Sequence, residues 1–128
     1  MSAARLAMKG IGIGRLALGV GIVAAPVPLG EPWIGESGAT DGGKVALRAL
    51  GVRDALLGFM AIHVASAEDP LVAARWSAAI AVCDLVDGLA TAGARSGGRL
   101  GPKADQIIAL ALGSAIAGAA VAATLRSE

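Results

Sequence analysis

Apolar and polar positions alternate in long blocks along this chain. Four apolar blocks, at about 7–25, 44–66, 71–94 and 103–125, are separated by polar links. Each block approaches the roughly 20 residues that a helix needs to cross a bilayer. Pro26 and Pro28 end the first block. Glu68-Asp69-Pro70 turns the chain between the second and third, with Pro70 suited to a helix start. Arg95 to Pro102 makes a short polar link before the fourth. Residues 26–43, rich in proline and glycine and carrying Glu31, Glu36 and Asp41, read as the longest connection, an acidic surface loop. The pattern predicts an all-α fold: one four-helix transmembrane bundle over residues 1–128, up-down-up-down, with both termini on one side. Trp33 in the loop and Trp76 near the third helix start are expected at opposite membrane faces.

Composition strengthens the membrane reading. Hydrophobic residues make up 55% of the chain and charged residues 16%, against roughly 25% charged in a soluble domain. Mean hydropathy is +0.70. With 19 glycines and few aromatics, the helices are expected to pack through small residues. Gly10/Gly14 and Ala17/Gly21 offer such contacts in the first helix; Gly113/Ala117 and Ser114/Gly118 offer them in the fourth. Gly12-Ile13-Gly14-Arg15-Leu16-Ala17 matches a loose dinucleotide-binding pattern, but no strand precedes it, so its glycines read as helix-packing residues. Arg5 and Lys9 before an apolar run ending Ala24-Ala25-Pro26 look like a leader; Arg15 interrupts that run, and the segment reads as a retained helix.

The charges that remain inside the apolar blocks carry the most information. Call the side holding the termini side A and the other side B. Counting inward from side B, Arg15 lies about ten residues from the end of the first helix and Asp54 about ten from the start of the second. Asp84 and Asp87 lie about ten and seven residues from the end of the third. At about 1.5 Å per residue all share one layer, roughly 10–15 Å deep. Isolated charges at that depth are costly, so they are expected to turn inward and pair. Arg15 and Arg53 should neutralise some of Asp54, Asp84 and Asp87, while Arg48, nearer side B, is free to snorkel. On a helical wheel Asp54 shares a face with Leu47, Gly51, Gly58 and Ala61. Asp84 shares one with Ser77, Gly88, Thr91 and Arg95, and Asp87 sits about 60° to one side.

These residues also carry a resemblance. Arg15 with Gly19, the string Gly51-x-Arg53-Asp54-x-x-x-Gly58, and Asp84-x-x-Asp87 resemble the small four-helix membrane proteins of unknown function found in actinobacteria and fungi, broadly DoxX-like in layout. The resemblance covers nearly the whole chain. It implies a four-helix membrane fold and brings no settled activity.

Carboxylates beside arginines in a dry layer can divide into acid and base. The expected function is a small membrane enzyme working by acid–base catalysis on a lipophilic molecule, by epoxide opening, cyclisation or isomerisation. Asp54 and Asp84 would be the acid–base pair, Asp87 would tune or orient them, and Arg15 and Arg53 would hold charge or a substrate oxygen. Two alternatives stand beside it: a non-catalytic accessory or structural protein whose Asp/Arg network fixes helix packing, and a proton- or ion-coupled transporter. A cavity opening onto the layer, a closed set of salt bridges, or a wet path across the membrane would separate the three.

Other chemistries find no footing. A net charge of +1 gives no electrostatic case for nucleic acid. The single cysteine, Cys83, excludes an intramolecular disulfide and a cysteine metal cluster, and reads as apolar filler. With one histidine, His63, expected near side A as an interfacial residue, no metal-ligand spacing exists. No cofactor is expected. The expected partners are membrane lipid and a lipophilic small molecule, with room for homo-oligomers. The expected location is a bacterial plasma membrane. Arg5, Lys9, Arg75 and Arg126 on side A nearly balance Lys44, Arg48, Arg95, Arg99 and Lys103 on side B, so the positive-inside rule barely favours side B in the cytoplasm and leaves the side of the termini open.

Overall fold

In the computed structural model, which describes residues 1–128, short polar side chains set most helix starts. α1 (Ala3–Ala24) opens where the Ser2 hydroxyl oxygen accepts from the Arg5 amide at 3.3 Å. α2 (Pro26–Ile34) follows almost at once, with proline in its first turn, where a missing N–H leaves nothing unsatisfied. A 3-10 helix (Gly35–Ala39) leads to α3 (Asp41–Val64), capped by Thr40 accepting from Gly43 at 3.0 Å. α4 (Pro70–Arg95) is capped by Asp69 accepting from Leu71 at 2.9 Å, with Pro70 at its start. α5 (Ala104–Leu125) completes the chain.

The all-α class stands, but the four-helix transmembrane bundle does not. There are five α-helices. Residues 26–43, expected as a loop, instead hold α2 and the 3-10 helix. Pro26 and Pro28 fall in the first turn, where a helix tolerates them, Pro32 lies inside α2, and Gly30 lets Leu47 of α3 press against the α2 backbone: a Cβ there would lie 2.3 Å from Leu47 Cδ1. Three helices, α1, α4 and α5, are long and apolar enough to cross a membrane. α3 has the length, at 24 residues. It carries Asp41, Lys44, Arg48, Arg53 and Asp54, and that charge keeps it out of the set. The up-down-up-down bundle of four spans therefore gives way to two long pairs, α1 with α3 and α4 with α5, and a short helix over their side-B end.

Each pair is close-packed and the seam between pairs is thinner. The α1–α3 contact is made of backbone. A Cβ on Gly19 would lie 2.4 Å from both Ala55 N and Gly51 O, and one on Gly58 would lie 2.5 Å from Gly12 O and Leu16 N. Gly12 and Gly51 are confined as well, a Cβ lying 2.8 Å from Gly58 O and 2.7 Å from Gly19 O respectively. The packing glycines are thus Gly12 and Gly19 in α1. Gly10 and Gly14, expected in that role, face open space. In α5, Gly118 packs on Ala81 and Ser77, whereas Gly113 faces open space. The apolar core lies on side A, where Met8, Val64, Ala73 and Leu125 are buried together. Outside, Ile13, Leu18, Leu56, Phe59, Val86, Leu89, Leu110 and Ile116 are exposed. A lipid-facing surface accounts for such a girdle.

The two links at side B are joined. The Gly101 and Lys103 amides donate to Trp33 O and Pro32 O, each at 2.8 Å. At side A the termini are tied as well. Arg5 donates to Ala65 O at 3.0 Å and Ala67 O at 2.7 Å, and pairs with Glu128 at 2.9 Å; the Ser2 hydroxyl also donates to Glu128. The Ser2 hydrogen bond, followed by Arg5, holds the Glu128 carboxyl below the usual glutamate range. A carboxyl lowered in the folded state stabilises it above the unfolded pKa, and the effect disappears as pH falls through the folded value. The protection of amides in the first turn of α1, taken relative to their intrinsic exchange rates, is therefore expected to fall as pH drops below the ordinary glutamate range. Glu128→Gln should abolish that pH dependence, as hydrogen-exchange mass spectrometry would report.

Candidate ion-pair site at the helix seam

The backbone contact between α1 and α3 places the first ion pair. Arg15 lies between Gly12 and Gly19, and Asp54 lies between Gly51 and Gly58, so the two side chains meet where the helices run closest. Arg15 Nη2 donates to Asp54 Oδ1 at 2.8 Å. Asp54 sits on the buried face of α3 with Leu47, Gly51, Gly58 and Ala61, as its helical spacing requires.

Arg15 also reaches across the seam. Its Nη1 donates to Asp84 Oδ1 on α4. Asp84 is itself buried among Ser77, Gly88 and Thr91, and its second oxygen accepts from the Ser114 hydroxyl of α5 at 2.7 Å. Arg53 makes the parallel crossing. Its Nη1 and Nη2 donate to the two oxygens of Asp87 at 3.2 and 2.5 Å, the bidentate geometry that favours arginine. The same Nη2 lies 3.3 Å from Asp54 Oδ1. Thus the five expected site residues form one ladder, Asp84–Arg15–Asp54–Arg53–Asp87, running over three helices.

The ladder does not satisfy every atom. Three carboxylates face two guanidinium groups. Asp54 Oδ1 accepts from both arginines, while no protein donor reaches its Oδ2. Arg15 Nε and Arg53 Nε are buried without a hydrogen-bond partner. The inner end is drier than the outer: side-chain exposure is 10% for Arg15 and 7% for Asp84, against 35% for Arg53 and 20% for Asp87.

Three contributors were not singled out from sequence as members of the layer. Ser114 appeared only as a small packing residue, yet it holds Asp84. Thr91 was placed on the Asp84 face; its hydroxyl donates to Asp87 O at 2.7 Å and accepts from Trp33 Nε1 at 3.1 Å. Trp33, read as an interfacial anchor, is half-buried and turns its N–H inward. Their signal was a polar atom on an otherwise apolar face. Arg95, expected to extend the Asp84 stripe, pairs instead with Asp105 at the exposed end of α4. Arg48 is exposed and donates to Val23 O at 3.3 Å. His63 is exposed, its ring nearly parallel to Phe59 with centroids 6.4 Å apart. Cys83 is half-buried and free.

The principal cavities lie away from the ladder. One of about 830 Å³ is at side B between α2, the 3-10 helix and the α4–α5 link. A groove of about 600 Å³ runs between α4 and α5, one of about 660 Å³ lies at side A beside Lys9 and His63, and a pocket of about 220 Å³ adjoins Arg95 and Asp105. None is lined by Arg15, Arg53, Asp54, Asp84 or Asp87. No three His, Cys, Asp or Glu side chains converge on a metal-sized site. No family model, curated protein or solved structure matches the chain.

Proposed function

We propose that this chain is a small non-catalytic membrane protein whose Asp/Arg ladder locks two helix pairs together at one register. One observation carries the reading: all five ionisable side chains are engaged with one another, and the principal cavities do not reach them. Buried ion pairs contribute little net stability over an apolar core, but they penalise misalignment, because any shifted register leaves a charge unpaired. The thin seam between α3 and α4 is where such a constraint is useful. The membrane setting rests on three helices with the length and hydropathy to span one; a bacterial plasma membrane is the location proposed.

A second reading keeps acid–base chemistry on a lipophilic molecule. It is favoured by the free Asp54 Oδ2 and the two unpartnered guanidinium Nε atoms, which a water or a substrate oxygen would satisfy. The two readings part at the outer pair. Arg53→Met/Asp87→Leu replaces it with apolar residues, methionine keeping most of the length of the arginine stem. The structural reading expects a protein as stable in detergent as the parent, or more so by about 1–4 kcal/mol, that still complements a deletion strain. A stably folded double variant that fails to complement would overturn it and favour chemistry at the ladder.

A further inference from the structure

The groove between α4 and α5 has features that the ladder does not explain. Its volume is about 600 Å³, and ten of its eleven lining residues are hydrophobic. Both walls are helices with the length and hydropathy to cross a membrane, so the groove opens sideways towards lipid tails. Small and branched side chains line it, among them Ala78, Val82 and Leu85 on α4 and Ile116 and Ala119 on α5. Its one charged lining residue is Arg126, at the side-A end.

Arg126 is exposed and makes no ion pair. Arg75 is likewise exposed and unpaired. Seven residues separate Arg75 from Val82, placing them within about 20° on one face of α4. The helices are antiparallel, and Ser77 of α4 bonds to Gly118 of α5 while Asp84 bonds to Ser114. Extending that register puts Arg75 and Arg126 within about one helical turn of each other along the membrane normal. Of the acidic side chains on this side, Glu128 is committed to Ser2 and Arg5, and Asp69 caps the Leu71 amide. Glu68 lies in the same turn and makes no ion pair. Arg126 thus lines the side-A end of an apolar slot about 20 Å long, counted along α5 from Leu112 to Arg126 at 1.5 Å per residue, and the register brings Arg75 to the same end.

We propose that this groove holds one acyl chain of an anionic phospholipid, with the lipid phosphate against Arg126 and Arg75. The slot supplies a packing surface for the tail, and the paired charges supply selectivity for the headgroup. A basic residue near an anionic headgroup contributes about 1 kcal/mol. The site is independent of the role of the ladder, since none of its residues belongs to it.

The test reconstitutes the protein in detergent with phosphatidylglycerol or phosphatidylcholine of identical acyl chains and counts retained lipid by native mass spectrometry. The parent is expected to keep one phosphatidylglycerol, and Arg75→Gln/Arg126→Gln to lose its preference over phosphatidylcholine by about tenfold or more. Ala119→Trp, which fills the outward-facing slot, should lose both lipids, while Ala90→Trp outside it should keep them. Equal retention of the two lipids by the parent, or retention untouched by Ala119→Trp, would overturn the proposal. So would a dimer that Ala119→Trp abolishes in a protein that holds no lipid.

Discussion

Replacing Arg15 with methionine is expected to lower stability by about 3–5 kcal/mol, the largest loss from any one side chain in the protein. Methionine keeps the length and apolar bulk of the stem, so the loss isolates the guanidinium. Arg15 bonds two buried carboxylates on different helix pairs, Asp54 at 2.8 Å and Asp84 across the seam. Without it Asp84 keeps one neutral donor, Ser114, and Asp54 keeps only the longer contact to Arg53 at 3.3 Å. A buried carboxylate with no counter-charge is the costly product. Arg53→Met should cost less, because Arg53 and Asp87 are 35% and 20% exposed and water or headgroups can compensate. Reversible unfolding in mild detergent with a denaturing co-detergent checks both values. Equal losses at Arg15 and Arg53 would mean that the inner and outer rungs do not differ in burial as described.

The second large effect belongs to Gly19. Gly19→Ala is expected to destabilise the protein by about 2 kcal/mol and to loosen the Arg15–Asp54 pair. The new methyl carbon would start 2.4 Å from two backbone atoms of α3, Ala55 N and Gly51 O. No rotamer change relieves a clash with backbone, so α1 and α3 must separate. Gly14 is the matched control, five residues earlier in the same helix, with nothing within 4 Å of a Cβ. Gly14→Ala should be neutral or stabilising by about 0.5–1 kcal/mol, from helix propensity alone. Equal effects at the two positions would show that backbone approach is not what packs this pair.

The ladder was legible because depth and facing are both arithmetic on a helix. Ten residues from an end is a depth, and 100° per residue is a direction; together they put Arg15, Asp54 and Asp84 in one layer. Partner choice was not legible. Arg53 bonds Asp87 and also its own neighbour Asp54, and only coordinates place Ser114 under Asp84. The glycine contacts were half legible. Gly51 and Gly58 were on the expected face, but in α1 a four-residue spacing pointed to Gly10 and Gly14. The helices instead meet at Gly12 and Gly19, seven residues apart, matching the seven between Gly51 and Gly58.

The five-helix count was missed for a local reason and the span count for a general one. Pro26, Pro28 and Pro32 read as breakers, yet the first two fall in the opening turn of α2, where a helix accepts them. What holds α2 in place is tertiary: Leu47 against Gly30, and the α4–α5 link bonded to Pro32 and Trp33. The apolar block at about 44–66 reads as a span by its overall hydropathy and length. Its charges set it apart from α1, α4 and α5, and two of them, Arg53 and Asp54, are rungs of the ladder.

The central claim is that Arg15 and Asp84 couple the two helix pairs across the seam. A double-mutant cycle on Arg15→Met and Asp84→Asn, read by reversible unfolding in detergent, tests it most directly. The account predicts that the double variant is more stable than the sum of the single losses implies, with a coupling of about 2 kcal/mol or more. Additive losses, agreeing within about 0.5 kcal/mol, would contradict it.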